Sequence, residues 1–272
     1  MNEGFTESAY KKILKKASVQ YRFVPYGELC SERHVIWRHD IDFSPQRALA
    51  LAKLEAAENL CCEYHVLVRG RYYNPLEPEI SKILREISNV GHKIGLHFDL
   101  DIFAHDEQVS RNRFEASIGL EKAILEDITG AEVASLSFHN LTLHNNLYTT
   151  EMQICDMFNA NFPNFHSQYK YISDSNGLWR NQTLVDVLDE TPVEKLHVLT
   201  HPEWWTRKAM PPYERIKRTI MGRAKANIHL YLNTINRDGR LKRIAQAHGV
   251  PEEDIIKAGI FMDAPIKDAD SK

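Results

Sequence analysis

The sequence has few cysteines and no long apolar run. It holds only four cysteines, Cys30, Cys61, Cys62 and Cys155, and no C-x-x-C pair among them, a pattern that suits a reducing compartment. No stretch approaches the ~20 apolar residues that a membrane-spanning helix needs, and residues 1–19 contain no apolar segment of the kind found in export signals. We therefore expect a cytoplasmic protein without membrane insertion.

Neither sign of charge dominates. Lys and Arg total 34 and Asp and Glu total 37, which gives a net charge of -3 and no electrostatic basis for binding nucleic acid or an acidic membrane. No repeat, low-complexity tract or linker divides the chain, so we expect a single domain over 1–272, with a helical extension from about residue 206. The 13 histidines are numerous for 272 residues, and metal binding is one use for them.

Short apolar runs alternate with helical patterns along the chain. The runs predict six strands, at 35–37, 64–68, 93–96, 133–138, 170–173 and 196–200. Between the first two, Ser44 and Pro45 are suited to cap and begin a helix. The segment 141–168 predicts a long loop with one short helix. Alternating strands and helices indicate an α/β fold, and with only six strands we expect a distorted, incomplete (β/α) barrel.

Asp40 and Asp42 directly follow the first predicted strand. Side chains at i and i+2 of an extended chain point the same way, so both carboxylates aim at one spot at the carboxyl end of a strand. In α/β sheets and barrels that edge is where ligands and chemistry are found. Two like charges so close repel each other unless a cation or a shared proton relieves them. A bound metal ion is the simplest way to offset the repulsion between the two carboxylates.

Other strand ends also carry ionisable side chains. They are His97 with Asp99 and Asp101, then His139, Asp174 and His201. In a barrel of parallel strands these ends share one rim, so residues distant in sequence meet in space. One carboxylate and two imidazoles form a common ligand set for Zn²⁺ or another divalent first-row metal, and an open position for water would make the site hydrolytic.

Each residue also has an ordinary structural interpretation. Asp40 or Asp42 could cap the helix at Pro45, and a histidine at a strand end is often a satisfied structural residue. Core packing is the ordinary role of the tryptophans, with a sugar-stacking wall as the alternative; these are Trp37, Trp179, Trp204 and Trp205. The pattern as a whole favours a functional site, because these ionisable side chains lie at the ends of separate strands.

The order of these motifs resembles the polysaccharide deacetylase-like superfamily, the NodB-homology fold of carbohydrate esterase family 4. Residues 38–42, Arg-His-Asp-Ile-Asp, resemble a variant of its first motif, and residues 91–97 are similar to its G-H-E-I-G-x-H segment. Residues 137–139 occupy the place of its arginine-proline motif, and residues 199–201 resemble its closing leucine-x-histidine motif. The similarity runs from about residue 34 to 205.

This resemblance implies a distorted (β/α) barrel of the polysaccharide deacetylase type with one divalent metal, usually zinc. The family hydrolyses an N-acetyl group from a sugar. Carried onto matching positions, Asp42 and His97 would be metal ligands. Asp40 would be the general base and His201 the general acid.

Three departures from the family pattern leave alternatives open. Ile41 separates aspartates that are usually adjacent, so the base and ligand roles could be exchanged. Asp101 stands where the second histidine of an H-x3-H pair is usual; the third ligand is then Asp101 or lies elsewhere, and we prefer His139. The arginine that usually orients the base is replaced at residues 138–139, although Arg38 could do that work.

The sequence therefore predicts a metal-dependent hydrolase of C–N bonds other than peptide bonds. We expect an N-deacetylase that acts on an N-acylated sugar or a precursor of a surface polysaccharide such as O-antigen or capsule, with Arg38, Asp174 and Trp205 contacting the substrate. Two alternatives stay open: a carbohydrate-binding or assembly protein that has lost turnover, and a cyclic amide hydrolase on the same scaffold.

Overall fold

A computed structural model describes residues 4–28, 30–106, 108–141, 148–179, 182–190, 192–237 and 239–260. The chain divides into two compact units, residues 1–215 and 216–272. None of the described helices is both long and apolar enough to cross a membrane. The prediction of one domain with a helical extension from about residue 206 stays a prediction.

The first unit is an open, mostly parallel sheet with helices between its strands. Its strands are β1 (Arg22–Phe23), β2 (His34–Ile41), β3 (Glu63–Leu67), β4 (Lys93–Asp99), β5 (Ser135–His139), β6 (Gln153–Ile154), β7 (Met157–Asn159), β8 (Lys170–Ser173) and β9 (Lys195–Thr200). The pairing order is β6-β7-β5-β4-β3-β2-β9-β8, with β1 beside β2. Among these described strands, only β6 and β7 pair in antiparallel orientation. This curled sheet does not close on itself, which confirms the distorted, incomplete (β/α) barrel.

The helices of the first unit begin where the sequence supplies a capping side chain or a proline. They are α1 (Glu7–Gln20), α2 (Pro45–Ala56), α3 (Pro78–Asn89), α4 (Arg111–Thr129), α5 (Pro163–His166) and α6 (Leu184–Asp189). A further helix, α7 (Pro212–Asn236), begins in the last residues of the first unit. The Ser44 hydroxyl accepts a hydrogen bond from the Arg47 amide at 3.3 Å, with Pro45 in the first turn, as predicted. Gly130 ends α4 in the left-handed region, at a φ of 67°.

The second unit contains the rest of α7 with α8 (Arg240–His248) and α9 (Glu252–Ile260). Gly239 precedes α8 and Gly249 follows it, at φ values of 63° and 64°. Among the described side chains of this unit, three apolar ones are buried: Ile235, Leu241 and Ala245.

The observed strands match the strands predicted from the sequence in the core of the sheet and differ from the prediction at one end of it. All six predicted strands are present, as β2, β3, β4, β5, β8 and β9. The loop predicted over 141–168 is wrong for residues 153–159, which form the hairpin of β6 and β7. Its two turn residues, Cys155 and Asp156, have φ values of 50° and 61°. This turn lacks the usual glycine or asparagine, and its strands are only two and three residues long. No alternating pattern in the sequence therefore predicts the hairpin.

A fully buried polar network centred on Glu55 ties α2 to the sheet. The carboxylate accepts hydrogen bonds from the hydroxyls of Tyr10 and Tyr64, the latter at 2.6 Å, and pairs with His39 Nε2 at 2.8 Å. Burial acts to raise the pKa of Glu55, but His39, with smaller contributions from His92 and the Tyr10 hydroxyl, lowers the value to about 2. Glu55, His39 and Cys62 also bring three metal-donor atoms within 4.8 Å of one another. Since the carboxylate is already satisfied by hydrogen bonds, we interpret the cluster as structural.

Replacing Glu55 with glutamine is expected to destabilise the fold by about 1–3 kcal/mol, because a buried donor loses its acceptor. The loss should appear in urea unfolding at neutral pH. The carboxylate contributes stability above its unfolded pKa of 4.5, and this contribution is lost as pH falls toward 2. The difference between wild type and variant should therefore shrink in acid. Glu86→Gln, which removes only an exposed ion pair with Lys53, serves as the control and should change stability by less than about 0.5 kcal/mol. Equal effects of the two substitutions would contradict this role for Glu55.

Candidate functional site

The ionisable strand ends meet on one rim of the curled sheet. Asp40 lies near the end of β2 and Asp42 follows that strand, while His97 lies near the end of β4. His201 follows β9, which pairs directly with β2, and Asp174 follows β8, which pairs with β9. The parallel topology therefore collects groups that are up to 161 residues apart in sequence, counted from Asp40 to His201.

Gly95 gives β4 the shape that this arrangement needs. It pairs with His65 across the sheet, and a Cβ at this position would collide with the His65 imidazole and the Ser135 hydroxyl. Only glycine leaves room for that imidazole inside the barrel. The glycine of the segment 91–97 thus has a packing reason in this chain, in addition to its part in the resemblance.

Asp42 and His97 are placed as two ligands of one cation would be. The Asp42 Oδ1 atom lies 3.4 Å from His97 Nε2, and this buried oxygen has no hydrogen-bond partner among the described residues. Two ligands on one tetrahedral Zn²⁺ lie about 3.3–3.5 Å apart, given bonds of about 2.0–2.2 Å. His97 Nδ1 is fixed by the Ser137 hydroxyl at 2.8 Å, which leaves Nε2 facing the carboxylates. The donor set therefore fits a divalent metal.

Burial keeps the His97 imidazole neutral. Desolvation lowers the pKa of His97 to about 4, against the opposing effects of Asp40 and Asp42. A neutral imidazole has a free lone pair, which is the form that binds a metal.

Arg38 holds the Asp40 carboxylate. Its Nη2 donates to Oδ2 at 3.2 Å and its Nε lies 3.0 Å from Oδ1. Burial acts to raise the pKa of Asp40, but Arg38 and then His97 lower it well below its usual range. Arg38 also donates from Nη1 to the Tyr26 hydroxyl at 3.4 Å and is only 3% exposed. Substrate contact by Arg38 stays a prediction, whereas its observed contacts orient the Asp40 carboxylate.

Asp174 and Trp205 hold His201. The Asp174 Oδ1 atom lies 2.7 Å from His201 Nδ1 and accepts the His201 amide at 2.9 Å, while Oδ2 accepts from Trp205 Nε1 at 2.9 Å. Burial acts to lower the pKa of His201, but the hydrogen bond and charge of Asp174, followed by the charges of Asp42 and Glu203, raise it to about 10. Asp174 is fully buried and Trp205 almost so. Substrate contact by these two stays a prediction, whereas their observed contacts position His201.

The third metal ligand that we prefer, His139, lies beside the pair. Its ring centroid is 5.4 Å from that of His97, and its Nδ1 lies 3.3 Å from Asp99 Oδ1. A carboxylate on one ring nitrogen is the usual way of fixing the other for a metal. The alternative, Asp101, accepts a hydrogen bond from Asn140 Nδ2 at 3.1 Å through Oδ2. His139 as a ligand stays a prediction.

Sequence analysis missed the polar groups inside the barrel. The Ser137 hydroxyl lies between His97 Nδ1 and His65 Nδ1, at 2.8 and 2.7 Å. His65 Nε2 in turn lies 3.0 Å from the Ser135 hydroxyl and 3.4 Å from Glu63 Oε2. The available signal was a period of two: polar residues at i and i+2 in both β3 and β5, within otherwise apolar strands.

Comparisons with known proteins find solved structures of the class that the motifs resemble. No family model matches the sequence, and the curated proteins searched give no match either. Among solved structures, the chain is similar to the family 4 carbohydrate esterase domain of a multidomain xylanase from the hindgut metagenome of Trinervitermes trinervoides, with 14% identity, a TM-score of 0.42 and 72% and 85% of the two chains covered.

Two further solved structures belong to the same class. The chitin deacetylase of the fungal pathogen Colletotrichum lindemuthianum shares 13% identity at a TM-score of 0.42, over 74% of this chain and 88% of that one. The family 4 acetyl xylan esterase of Clostridium thermocellum, in complex with cobalt, shares 18% identity at a TM-score of 0.39, over 80% and 93%. Because these identities and TM-scores are low, the function of this chain has to be argued from its own side chains.

Proposed function

We propose that this chain is a metal-dependent amide hydrolase, an N-deacetylase of N-acylated sugars. The observation that carries the proposal is the placement of Asp42 between two imidazoles, with His97 Nε2 at 3.4 Å from Oδ1 and His201 Nε2 at 3.9 Å from Oδ2. Asp40 lies on the same side, with its Oδ2 at 3.7 Å from His97 Nε2. Asp42 and His97 as cation ligands, Asp40 as base and His201 as acid would therefore act close to one another.

Asp42 and His97 would hold the divalent metal, most simply Zn²⁺, with His139 as the preferred third ligand. When bound, such an ion acidifies a water molecule and polarises the acyl carbonyl. Asp40, ionised and oriented by Arg38, accepts the proton of the attacking water. His201, held protonated by Asp174, donates a proton to the departing nitrogen, which would otherwise leave poorly as an amide anion. The products are a carboxylic acid and an amino sugar.

The substrate class is inferred from chemistry and from the expected location. A deacetylase in the cytoplasm, which is the location that we propose, meets nucleotide-linked, lipid-linked or free sugars before it meets finished polymers. A precursor of a surface polysaccharide, such as O-antigen or capsule, fits that setting in the cytoplasm.

The proposal is tested by measuring acetate release from nucleotide-linked, lipid-linked and free N-acetylhexosamines. We expect turnover that chelation abolishes and added Zn²⁺ restores, with loss in Asp42→Asn. Sugar binding without acetate release would favour the carbohydrate-binding alternative, which the aspartate at position 101 motivates. Turnover of hydantoin-like or imide substrates in place of sugars would favour the cyclic amide hydrolase. Chelation-resistant acetate release would contradict a metal-dependent mechanism.

A further inference from the structure

A chain of hydrogen bonds runs through the barrel interior and ends at His97. Glu63 and Ser135 are the first residues of β3 and β5, whereas Ser137 and His97 lie closer to the carboxyl rim of the sheet. His65 joins the two ends, because its Nδ1 lies 2.7 Å from the Ser137 hydroxyl, which lies 2.8 Å from His97 Nδ1. Each of these five residues is no more than 3% exposed, so the chain is shielded from solvent.

Glu63 is the acceptor at the inner end of this chain. Its Oε1 accepts a hydrogen bond from the Tyr26 amide at 2.6 Å. Its Oε2 accepts from the Ser135 hydroxyl and lies 3.4 Å from His65 Nε2, which is 3.0 Å from the same hydroxyl. Burial acts to raise the pKa of Glu63, but its interactions with His65, followed by the hydrogen bonds from Ser135 and Tyr26, lower the pKa below its usual value. The carboxylate is therefore ionised and can only accept hydrogen bonds.

An ionised acceptor at one end fixes the direction of the donors along the chain. The Ser135 hydroxyl and His65 Nε2 both donate, because Glu63 has no proton to give. Burial lowers the pKa of His65 against the opposing hydrogen bond with Glu63, so the imidazole is neutral and its Nδ1 accepts. The Ser137 hydroxyl then donates to His65 and accepts from His97 Nδ1. His97 Nε2 is left with a free lone pair.

The sheet makes room for His65 at this place in the chain. Gly95, two residues before His97 on β4, pairs with His65 across the sheet. A Cβ at position 95 would collide with the His65 ring and with the Ser135 hydroxyl, and would displace the imidazole from its partners. The missing side chain thus admits the one group that connects Ser137 with Glu63.

We propose that Glu63 is a positioning residue for the metal site, which acts through His65 and Ser137 to hold His97 in the tautomer with a proton on Nδ1 and a free lone pair on Nε2. This inference rests on the metal site of the proposed function. A histidine that binds a metal usually donates its other ring N–H to a fixed acceptor, and loss of that support costs about 10–100-fold in metal affinity or activity. Here a serine and a second histidine carry the effect from a carboxylate deeper in the barrel.

The tautomer is read from the nitrogen NMR signals of the His97 ring in metal-free, full-length protein at neutral pH. These signals are assigned by their loss in His97→Gln. We expect a protonated Nδ1 and an unprotonated Nε2 in wild type. In Glu63→Gln an amide, which can also donate, replaces a group that only accepts, so part of the His97 population should move its proton to Nε2. A wild-type His97 with its proton on Nε2 would overturn the inference.

Calorimetric titration with Zn²⁺ measures the effect on the metal. We expect Glu63→Gln and Ser137→Ala each to weaken binding by about ten-fold. Since both act on His97 through one chain, adding Glu63→Gln to Ser137→Ala should change the affinity by less than about two-fold. Additive losses in the double variant would show that Glu63 acts independently of Ser137 and would overturn the inference.

Glu55→Gln is the matched control. Glu55 is an equally buried carboxylate that also accepts hydroxyl donors and pairs with an imidazole. It should leave the Zn²⁺ affinity within about three-fold of wild type, although it lowers the stability of the fold. An equal loss of affinity in Glu55→Gln and Glu63→Gln would overturn the inference. If Glu63→Gln does not fold, His65→Leu takes its place under the same criteria, because Ser137 then loses its acceptor and can donate to the metal ligand.

The Asp42→Asn variant separates failure of this inference from failure of the proposed function. If Glu63→Gln binds Zn²⁺ within about three-fold of wild type while Asp42→Asn loses the ion, the inference is overturned and the proposed function stays intact. If the wild-type protein binds no Zn²⁺, both fail.

Discussion

Replacing Asp174 with asparagine is expected to lower kcat for deacetylation by a factor on the order of 10²–10⁴, the usual contribution of one general acid or base. Asparagine keeps the size of the side chain but removes the charge that lies 2.7 Å from His201 Nδ1. The imidazole then no longer holds its proton strongly enough to protonate the leaving nitrogen. KM should change much less than kcat, because the substituted side chain is fully buried behind His201.

The pH profile of Asp174→Asn distinguishes this role from a merely structural one. Asp174 raises the pKa of His201, to about 10, so the imidazole is protonated throughout the neutral range. Without that carboxylate the pKa falls, and the alkaline limb of the kcat profile should move to lower pH by one unit or more. Asp186→Asn is the control, because that exposed carboxylate only caps its own helix through Thr183. An alkaline limb that stays in place in Asp174→Asn would show that His201 is not the acid.

The second large effect is expected from Asp40→Asn. This substitution removes the base, so kcat should again fall on the order of 10²–10⁴-fold, while the affinity for Zn²⁺ stays within a few-fold of wild type. Both Asp40 oxygens lie within 3.2 Å of the Arg38 guanidinium, whereas Asp42 Oδ1 is buried without a hydrogen-bond partner among the described residues. Asp42 is therefore the more available ligand and Asp40 the better oriented base.

Comparison with Asp42→Asn tests whether these two roles are exchanged, an alternative that the intervening Ile41 leaves open. With the roles as proposed, Asp42→Asn loses both the ion and the activity, and Asp40→Asn loses only the activity. The reverse pattern, with the ion lost in Asp40→Asn and retained in Asp42→Asn, would show that the roles are exchanged. Glu86→Gln, at a partly exposed position on α3, should leave both quantities unchanged.

The parts of the fold that local patterns control were predictable from the sequence. Each of the six apolar runs forms a strand, and Ser44 with Pro45 begins α2 as its chemistry dictates. Parallel topology alone was enough to bring Asp42, His97 and His201 to one rim, because the carboxyl ends of parallel strands share one edge of the sheet.

The contacts made across the barrel could not be predicted in the same way. Nothing local indicates that Asp174 pairs with His201, because the choice among several strand-end partners depends on the register of β8 and β9. Glu203 looks like an ordinary surface residue in sequence, and only the packing of its turn buries it. The β6–β7 hairpin was missed because its turn has no glycine or asparagine, although its residues have positive φ.

The proposed activity depends on Asp42 and His97 together holding one divalent cation. The decisive measurement is the metal content of full-length protein after dialysis against Zn²⁺, alongside the variants Asp42→Asn, His97→Ala and Cys62→Ala. The proposal predicts about one tightly bound ion per chain in wild type and in Cys62→Ala, and none in the other two variants. An ion that survives in Asp42→Asn and His97→Ala but disappears in Cys62→Ala would place the metal at the buried cluster of His39, Glu55 and Cys62, and would contradict the proposed site.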